Sequence, residues 1–434
     1  MIKCYELNGE FYKNGIEFLD FGVIHTCLNK NLAELHEFPV EAIILIINEY
    51  SKKIATNREI LRMEGVPFLC FYLKKINMEK QLELNLGSME YLNNFVQVDD
   101  EKYIKAQPRG VVCHWMAGNV ITLGIYSVLQ SILCKNANIL RVSMECVSAL
   151  YELLILLDNI EVVYHGHSYS SKVILNNIAL IYFNSEDVKH NSQMSLKADA
   201  RIVWGGETAV NAISILPKKH TCVDLIFGPK YSFAVFDKSA IESEDFDEYL
   251  ENLVTDIISF KQKACSSPQV LFIEKSKLSV EEVGQMLSVK FEKLIKRHTN
   301  LDLDEAIAAK VINKRGEYSL CLDKSLYISK GLQYTILIDS EVKLEEAITG
   351  RTIFIKQVED ILDICPLITK KIQTIGIASK NSKKSIHFAD KTTALGVDRV
   401  VKIGYMNFYD SPWDGKLIMS ELVRWCSINI KGMV

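Results

Sequence analysis

FKQKACSSPQVLFIE, residues 260–274, carries the reading of the fold. Upstream of it, Phe246, Tyr249, Leu250, Leu253, Val254, Ile257 and Ile258 recur at helical spacing, with Ser243, Glu244 and Asp245 as the N-terminal cap. Downstream, Pro268 sets off the apolar run Val270–Leu271–Phe272–Ile273, which predicts a buried strand. Cys265 sits at the junction, followed by two serines and a proline. A cysteine there can face a cleft, where a thiolate attacks carbonyl carbon. The alternative is a buried structural cysteine, and a lone cysteine is not by itself specific.

Working outward, the chain before this stretch is regular from Gln107 on. Short apolar runs at 110–114, 138–142, 161–164, 180–183, 201–204, 222–227 and 232–236 predict strands. Helical patterns at 120–133 and 147–157 separate the first of them. Strands alternating with helices predict an α/β fold with a parallel sheet covered on both faces, which binds ligands beyond the carboxyl ends of its strands. A second α/β unit is predicted after 270, with a helix through Val280, Val283, Met286 and Leu287 and strands near 334–338, 352–355 and 372–377. The tail predicts a closing helix through Leu417, Met419, Leu422, Val423 and Trp425, with Trp413 and Trp425 packed in the core or an interface.

Three strand ends carry candidate residues. In CHWMAGNV, 113–120, Asn119 either presents its amide to a developing oxyanion or caps the following helix. In RVSME, 141–145, Arg141 or Ser143 either hydrogen-bonds a ribose or phosphate or belongs to a solvated loop. In WGGETAV, 204–210, Gly205 and Gly206 either bring backbone close to a phosphate at a helix N-terminus or form a plain turn. The full GxGxxG pattern is absent, so this signal is weak alone.

Composition narrows the classes. The chain has 434 residues, enough for two or three domains, with 48% hydrophobic and 24% charged residues. A formal net charge of -4 gives no reason to expect nucleic acid as a partner. The 11 cysteines include no CxxC pair, which fits reduced thiols better than disulfides or zinc. Neither HExxH nor a Cys/His cluster occurs, so no metal site is expected. GxxxxGK[ST] and GxSxG are missing too. The N-terminus carries no apolar signal region, and the aliphatic run Ile43–Ile47 is too short to span a bilayer, which predicts a cytoplasmic protein without a membrane span.

Taken together, QPRGVVCHWMAGNV at 107–120, NANILRVS at 136–143, IVWGGETAV at 202–210, IFGPKYSFAVF at 226–236 and KQKACSSPQVLFIE at 261–274 resemble the acyl-CoA reductase (LuxC-type) family of the aldehyde dehydrogenase superfamily. VDRVVKIG and SPWDG in the tail are similar as well. The resemblance spans roughly Gln107 to Trp425. It implies an aldehyde dehydrogenase-like α/β fold: an N-terminal region at 1–106, a Rossmann-like parallel-sheet nucleotide domain at 107–232, and an α/β catalytic domain with Cys265 at 233–390. A segment at 391–434 would return to the cofactor domain or an oligomer interface.

The resemblance further implies that Cys265 is the acylated nucleophile and that Asn119, with the cysteine's backbone N–H, holds the oxyanion. Arg141 and Ser143 would lie at the cofactor ribose, and Gly205, Gly206 and Thr208 beside the pyrophosphate. One departure is informative: Ile226 falls where hydrolytic members carry a glutamate base, although Asp224 is close by. Without a carboxylate to activate water, a thioester awaits hydride or a thiol. The implied activity is reduction of an acyl-CoA or carrier-bound acyl thioester to the aldehyde. NADPH is the favoured cofactor, because Met144 follows Ser143 where an acidic residue would select a ribose hydroxyl; Glu145 keeps NADH as the alternative. A homo-oligomer and an acyl-transferring or acyl-activating partner protein are also implied. The rival readings are an acyl-phosphate reductase, a hydrolytic aldehyde dehydrogenase and a non-catalytic nucleotide-binding subunit.

Overall fold

The computed structural model describes residues 1–18, 20–296 and 303–430. The chain forms two compact units, Met1–Gly228 with Tyr409–Val434, and Pro229–Phe408.

The first unit is built on a seven-stranded sheet of β1 (Ile2–Leu7), β2 (Glu10–Phe18), β3 (Val111–Trp115), β4 (Ala137–Arg141), β5 (Ile178–Tyr182), β6 (Ala200–Trp204) and β7 (Val223–Phe227). Their order across the sheet is β7-β6-β3-β4-β5-β1-β2. β3 to β7 are parallel, and the β1–β2 hairpin adds antiparallel strands at one edge. β3, β4 and β6 are buried at every residue, which is why they read as unbroken runs and not as alternation. The helix Phe21–Glu37 packs Phe21, Ile24 and Leu28 on one face, against Val111, Ile139 and Ile181. From β3 the chain steps to β4 and β5 on one side, then returns to β6 and β7 on the other. That reversal leaves a crevice at the carboxyl ends of β3 and β6.

The second unit has β8 (Tyr231–Phe236), β9 (Val270–Glu274), β10 (Ser325–Ile328), β11 (Thr335–Ile338), β12 (Thr352–Val358), β13 (Ile372–Ala378) and β14 (Arg399–Lys402), in the order β10-β11-β12-β9-β8-β13-β14. β10 alone among them is antiparallel to its neighbour. Leu271 and Ile273 face the helices Phe246–Ile258 and Val280–Ile295, while Val270 and Phe272 face Val311 and Phe388 on the opposite side.

Several expectations change. Residues 1–106, expected as a region packing on the cofactor domain, also contribute β1 and β2 to its sheet. The chain crosses between units after Gly228 and Phe408 rather than at 232 and 390, since β14 pairs with β13 and keeps 399–402 in the second unit. Glu161–Tyr164 is a strand, but it pairs with His167–Ser170 in a separate hairpin. The expected closing helix shrinks to Ile418–Glu421; Val423–Asn429 is instead a strand along Lys102–Pro108. That pairing turns Trp425 outward, 44% exposed and edge-on to Tyr91, whereas Trp413 is buried.

Candidate active site

The helix Phe246–Ile258 ends short of Cys265, and the intervening chain turns the wrong way for L-residues. Phe260, Lys261 and Gln262 have φ of +53°, +52° and +61° in succession. Each left-handed residue costs roughly 1–2 kcal/mol. Gln262, fully buried, offsets this: its Nε2 donates to the carbonyls of Pro268 (2.8 Å) and Thr352 (2.7 Å), and its Oε1 accepts from the Thr352 N–H (2.8 Å).

Beyond the turn, Ser232 Oγ on β8 donates to the Cys265 carbonyl at 2.7 Å and accepts from the Thr374 N–H of β13 at 3.1 Å. Ser266 Oγ donates to Asn407 Oδ1 at 2.7 Å, and Asn407 Nδ2 donates to the Asp256 carbonyl at 2.8 Å. The Asp256 side chain accepts the Gly404 N–H at 2.6 Å; burial pushes its carboxyl up to about 7. Strain and bonding of this kind gather where a loop must hold one geometry. Of the eleven cysteines, Cys265 alone is exposed. At Cys70 and Cys113 burial makes thiolate formation harder, lifting the first to about 11 and the second well above the usual range. The structure therefore presents its most exposed thiol on a fixed backbone, the requirement for a cysteine nucleophile.

The other candidates lie in the first unit, round the crevice. The loop after β3 is tied to β4 by the Met116 N–H, which donates to the Arg141 carbonyl at 3.1 Å. Cys146 Sγ donates to the Gly118 carbonyl at 3.5 Å, and a Cβ on Gly118 would come within 3.1 Å of Ser143 Oγ. Asn119 is exposed on this loop and is not the helix cap: Ile121 precedes the helix Thr122–Leu133. Ser143 precedes the helix Met144–Ile155, its hydroxyl turned to Cys146 Sγ at 3.4 Å. Arg141 points inward: Nη2 donates to the Phe183 carbonyl at 3.0 Å and the guanidinium lies 5.3 Å from the Phe183 ring centre.

After β6, the Gly205 N–H donates to the Phe227 carbonyl at 3.1 Å, and Gly206 precedes the helix Glu207–Ser214. Nothing lies within 4 Å of where a Gly206 Cβ would be, and Thr208 is exposed, so this helix end is open to a ligand. Trp204 stacks on Phe227 at 3.8 Å beneath it. On β7, Ile226 packs against the apolar core. Asp224 is occupied by both sides of the Arg201 guanidinium and by Lys218, each at 2.7 Å. The structure thus gathers Asn119, Ser143, Gly205, Gly206 and Thr208 at the strand ends of the first unit and Cys265 on a fixed loop of the second.

Two mainly parallel sheets with these strand orders define an aldehyde dehydrogenase-type fold. Aldehyde dehydrogenase 21 from Physcomitrella patens, solved with the reaction product succinate, has a TM-score of 0.68 at 11% identity, over 100% of this chain and 95% of its own. Glyceraldehyde-3-phosphate dehydrogenase GapN from Methanocaldococcus jannaschii, solved with NADP, has a TM-score of 0.63 at 15% identity, over 100% of this chain and 99% of its own. Within that fold, a family model described as acyl-CoA reductase (LuxC) matches residues 35–425, and the chain belongs to that family. The long-chain acyl-protein thioester reductase of Aliivibrio fischeri is 26% identical over 391 residues, 88% of this chain and 76% of that protein. The chain is an oxidoreductase acting on acyl and aldehyde groups. Among the described residues no helix is long and apolar enough to cross a membrane.

Proposed function

We propose that this protein reduces a fatty acyl thioester to the aldehyde through an acyl-cysteine on Cys265, with NADPH as reductant and NADH as the alternative. The observation that carries the reading is Cys265 itself, the one exposed cysteine, on a loop fixed by Gln262, Ser232 and Asn407. Its thiolate attacks the thioester carbonyl, a new C–S bond forms, and the original thiol leaves. Asn119 and the Cys265 N–H supply the oxyanion donors in this reading, each worth about 3 kcal/mol in the transition state. The open helix end at Gly206 and the exposed Thr208 fit a pyrophosphate, and Ser143 fits a ribose. Bound there, the nicotinamide would supply hydride to the acyl carbon. The resulting thiohemiacetal collapses to aldehyde and regenerates the Cys265 thiolate.

The two positions weighed as a hydrolytic base favour reduction over hydrolysis. Ile226 is apolar, and Asp224 is engaged by Arg201 and Lys218, so neither activates water. The donor is either an acyl-CoA or a protein-bound acyl thioester; the Aliivibrio fischeri relative is named for the second. A protein donor would be the acyl-transferring partner, and a cytoplasmic homo-oligomer completes the proposal. The test is a matched assay with acyl-CoAs and an acyl-protein thioester, following NADPH or NADH oxidation and aldehyde together. Stoichiometric aldehyde supports the reading. Acid released from the thioester, or acid formed from aldehyde with NAD, overturns it.

A further inference from the structure

The turn between the helix Thr122–Leu133 and β4 holds a lysine in a conformation suited to glycine: Lys135 has φ of +61°. Its side chain is 4% exposed and lies on the wall of a cavity of about 700 Å³ in the first unit, which Lys105, His36, Glu37 and Glu41 also line. Nζ donates at 3.2 Å to the His36 carbonyl and at 3.3 Å to Asn93 Oδ1. Both bonds are long for a charged donor. Among the described residues no carboxylate lies within 4.0 Å of Nζ. Glu41, whose charge in part opposes the loss of the proton, is engaged by Asn93 Nδ2 at 2.9 Å. A buried amine lacking a close counter-ion, with a second lysine nearby, loses its proton easily; burial and then Lys105 lower its pKa to about 8.

We propose that Lys135 is a covalent acceptor for short, uncharged acyl groups delivered from small thioesters, a site separate from Cys265. The neutral amine attacks the thioester carbonyl, the C–N bond forms and the C–S bond breaks, and the thiol departs with the proton that the amine loses. No oxidant or reductant is involved, and neither nicotinamide nor Cys265 takes part. Glu37, Glu41, Glu83 and Glu90 outnumber Lys105 and Lys135 on the walls, so an anionic acyl group is disfavoured. Acylation removes the charge and weakens the bonds to His36 and Asn93, which tie the end of the helix Phe21–Glu37 and the 93–94 segment to the β4 turn.

At pH 7.5 an amine of pKa about 8 is roughly one-quarter neutral, against about 0.1% for an ordinary lysine. Lower basicity takes back part of this advantage, leaving about tenfold. The test incubates the whole protein with S-acetyl-N-acetylcysteamine, an uncharged thioester, and reads acetyl occupancy by peptide mass spectrometry. Lys135 is expected to acetylate about tenfold faster than exposed Lys52 and Lys275, and at the same rate in Cys265→Ala. A rate at Lys135 no higher than at those lysines overturns the proposal. Loss of the modification in Cys265→Ala overturns it as an independent site. Equal modification by the S-succinyl analogue overturns the charge selection.

Discussion

Removing Gln262 tests whether the loop that presents Cys265 is held by that one side chain. Gln262→Ala deletes three buried hydrogen bonds; the Thr352 N–H keeps its bond to the Thr349 carbonyl at 3.2 Å, while the Pro268 and Thr352 carbonyls lose the amide. At about 1 kcal/mol net per bond, with an added penalty for orphaned groups, the loss is about 3–5 kcal/mol. For a unit of this size that lowers its melting temperature by roughly 6–20 °C. Gln262→Gly loses the same bonds but relieves the backbone at φ +61°, so it should recover about 1 kcal/mol relative to alanine. Scanning calorimetry gives the stabilities, and the rate of Cys265 alkylation by iodoacetamide reports on the loop. Both variants should alkylate with altered rates. An alanine variant that melts within about 2 °C of wild type, or a glycine variant less stable than alanine, refutes the reasoning.

Asp256, pushed up to about 7 by burial, gives a pH dependence of defined sign. The folded state holds the proton more tightly than the unfolded state, so this contribution to stability is largest below about pH 4, falls as pH rises to about 7, and is flat beyond. The full fall is about 4 kcal/mol, so in chemical denaturation wild type should lose about that much stability relative to Asp256→Asn as pH rises through the window; parallel curves, or a relative gain, contradict it. Arg201 is fully buried and bonded to Asp224, Ser195 and two carbonyls. Arg201→Met should lose about 3–5 kcal/mol in thermal denaturation, with little effect of salt on the difference. Gly118→Ala pushes a methyl against Ser143 Oγ. It should raise the KM for the nicotinamide about fivefold, and combining it with Ser143→Gly should reverse the change.

Much of the fold was legible because parallel strands buried on both faces write themselves as apolar runs. Val270–Glu274 and Ala200–Trp204 are examples. The helix Phe246–Ile258 was legible from its periodicity, and Cys265 from its place between helix and strand. The left-handed turn was not, because Phe260, Lys261 and Gln262 include no glycine to announce it; the conformation is imposed by bonds from Pro268 and Thr352. The strand Val423–Asn429 looked helical because its partner, Lys102–Pro108, lies far upstream and local pattern does not record it. Arg141 read as a cofactor contact from its strand end, while its inward turn depends on Phe183, on another segment. Asp256 and Asn407 gave no sequence signal, since their role exists only once Ser266 and Gly404 are brought beside them.

The central claim, that Cys265 carries the acyl group, is tested most directly by intact-mass measurement of wild type and Cys265→Ala after brief incubation with acyl thioesters and no nicotinamide. The account predicts one added acyl group on wild type, none at that site in the variant, and discharge of the adduct as aldehyde when NADPH is added. An adduct of equal stoichiometry on Cys265→Ala, or no adduct on folded wild type with any thioester, would contradict it.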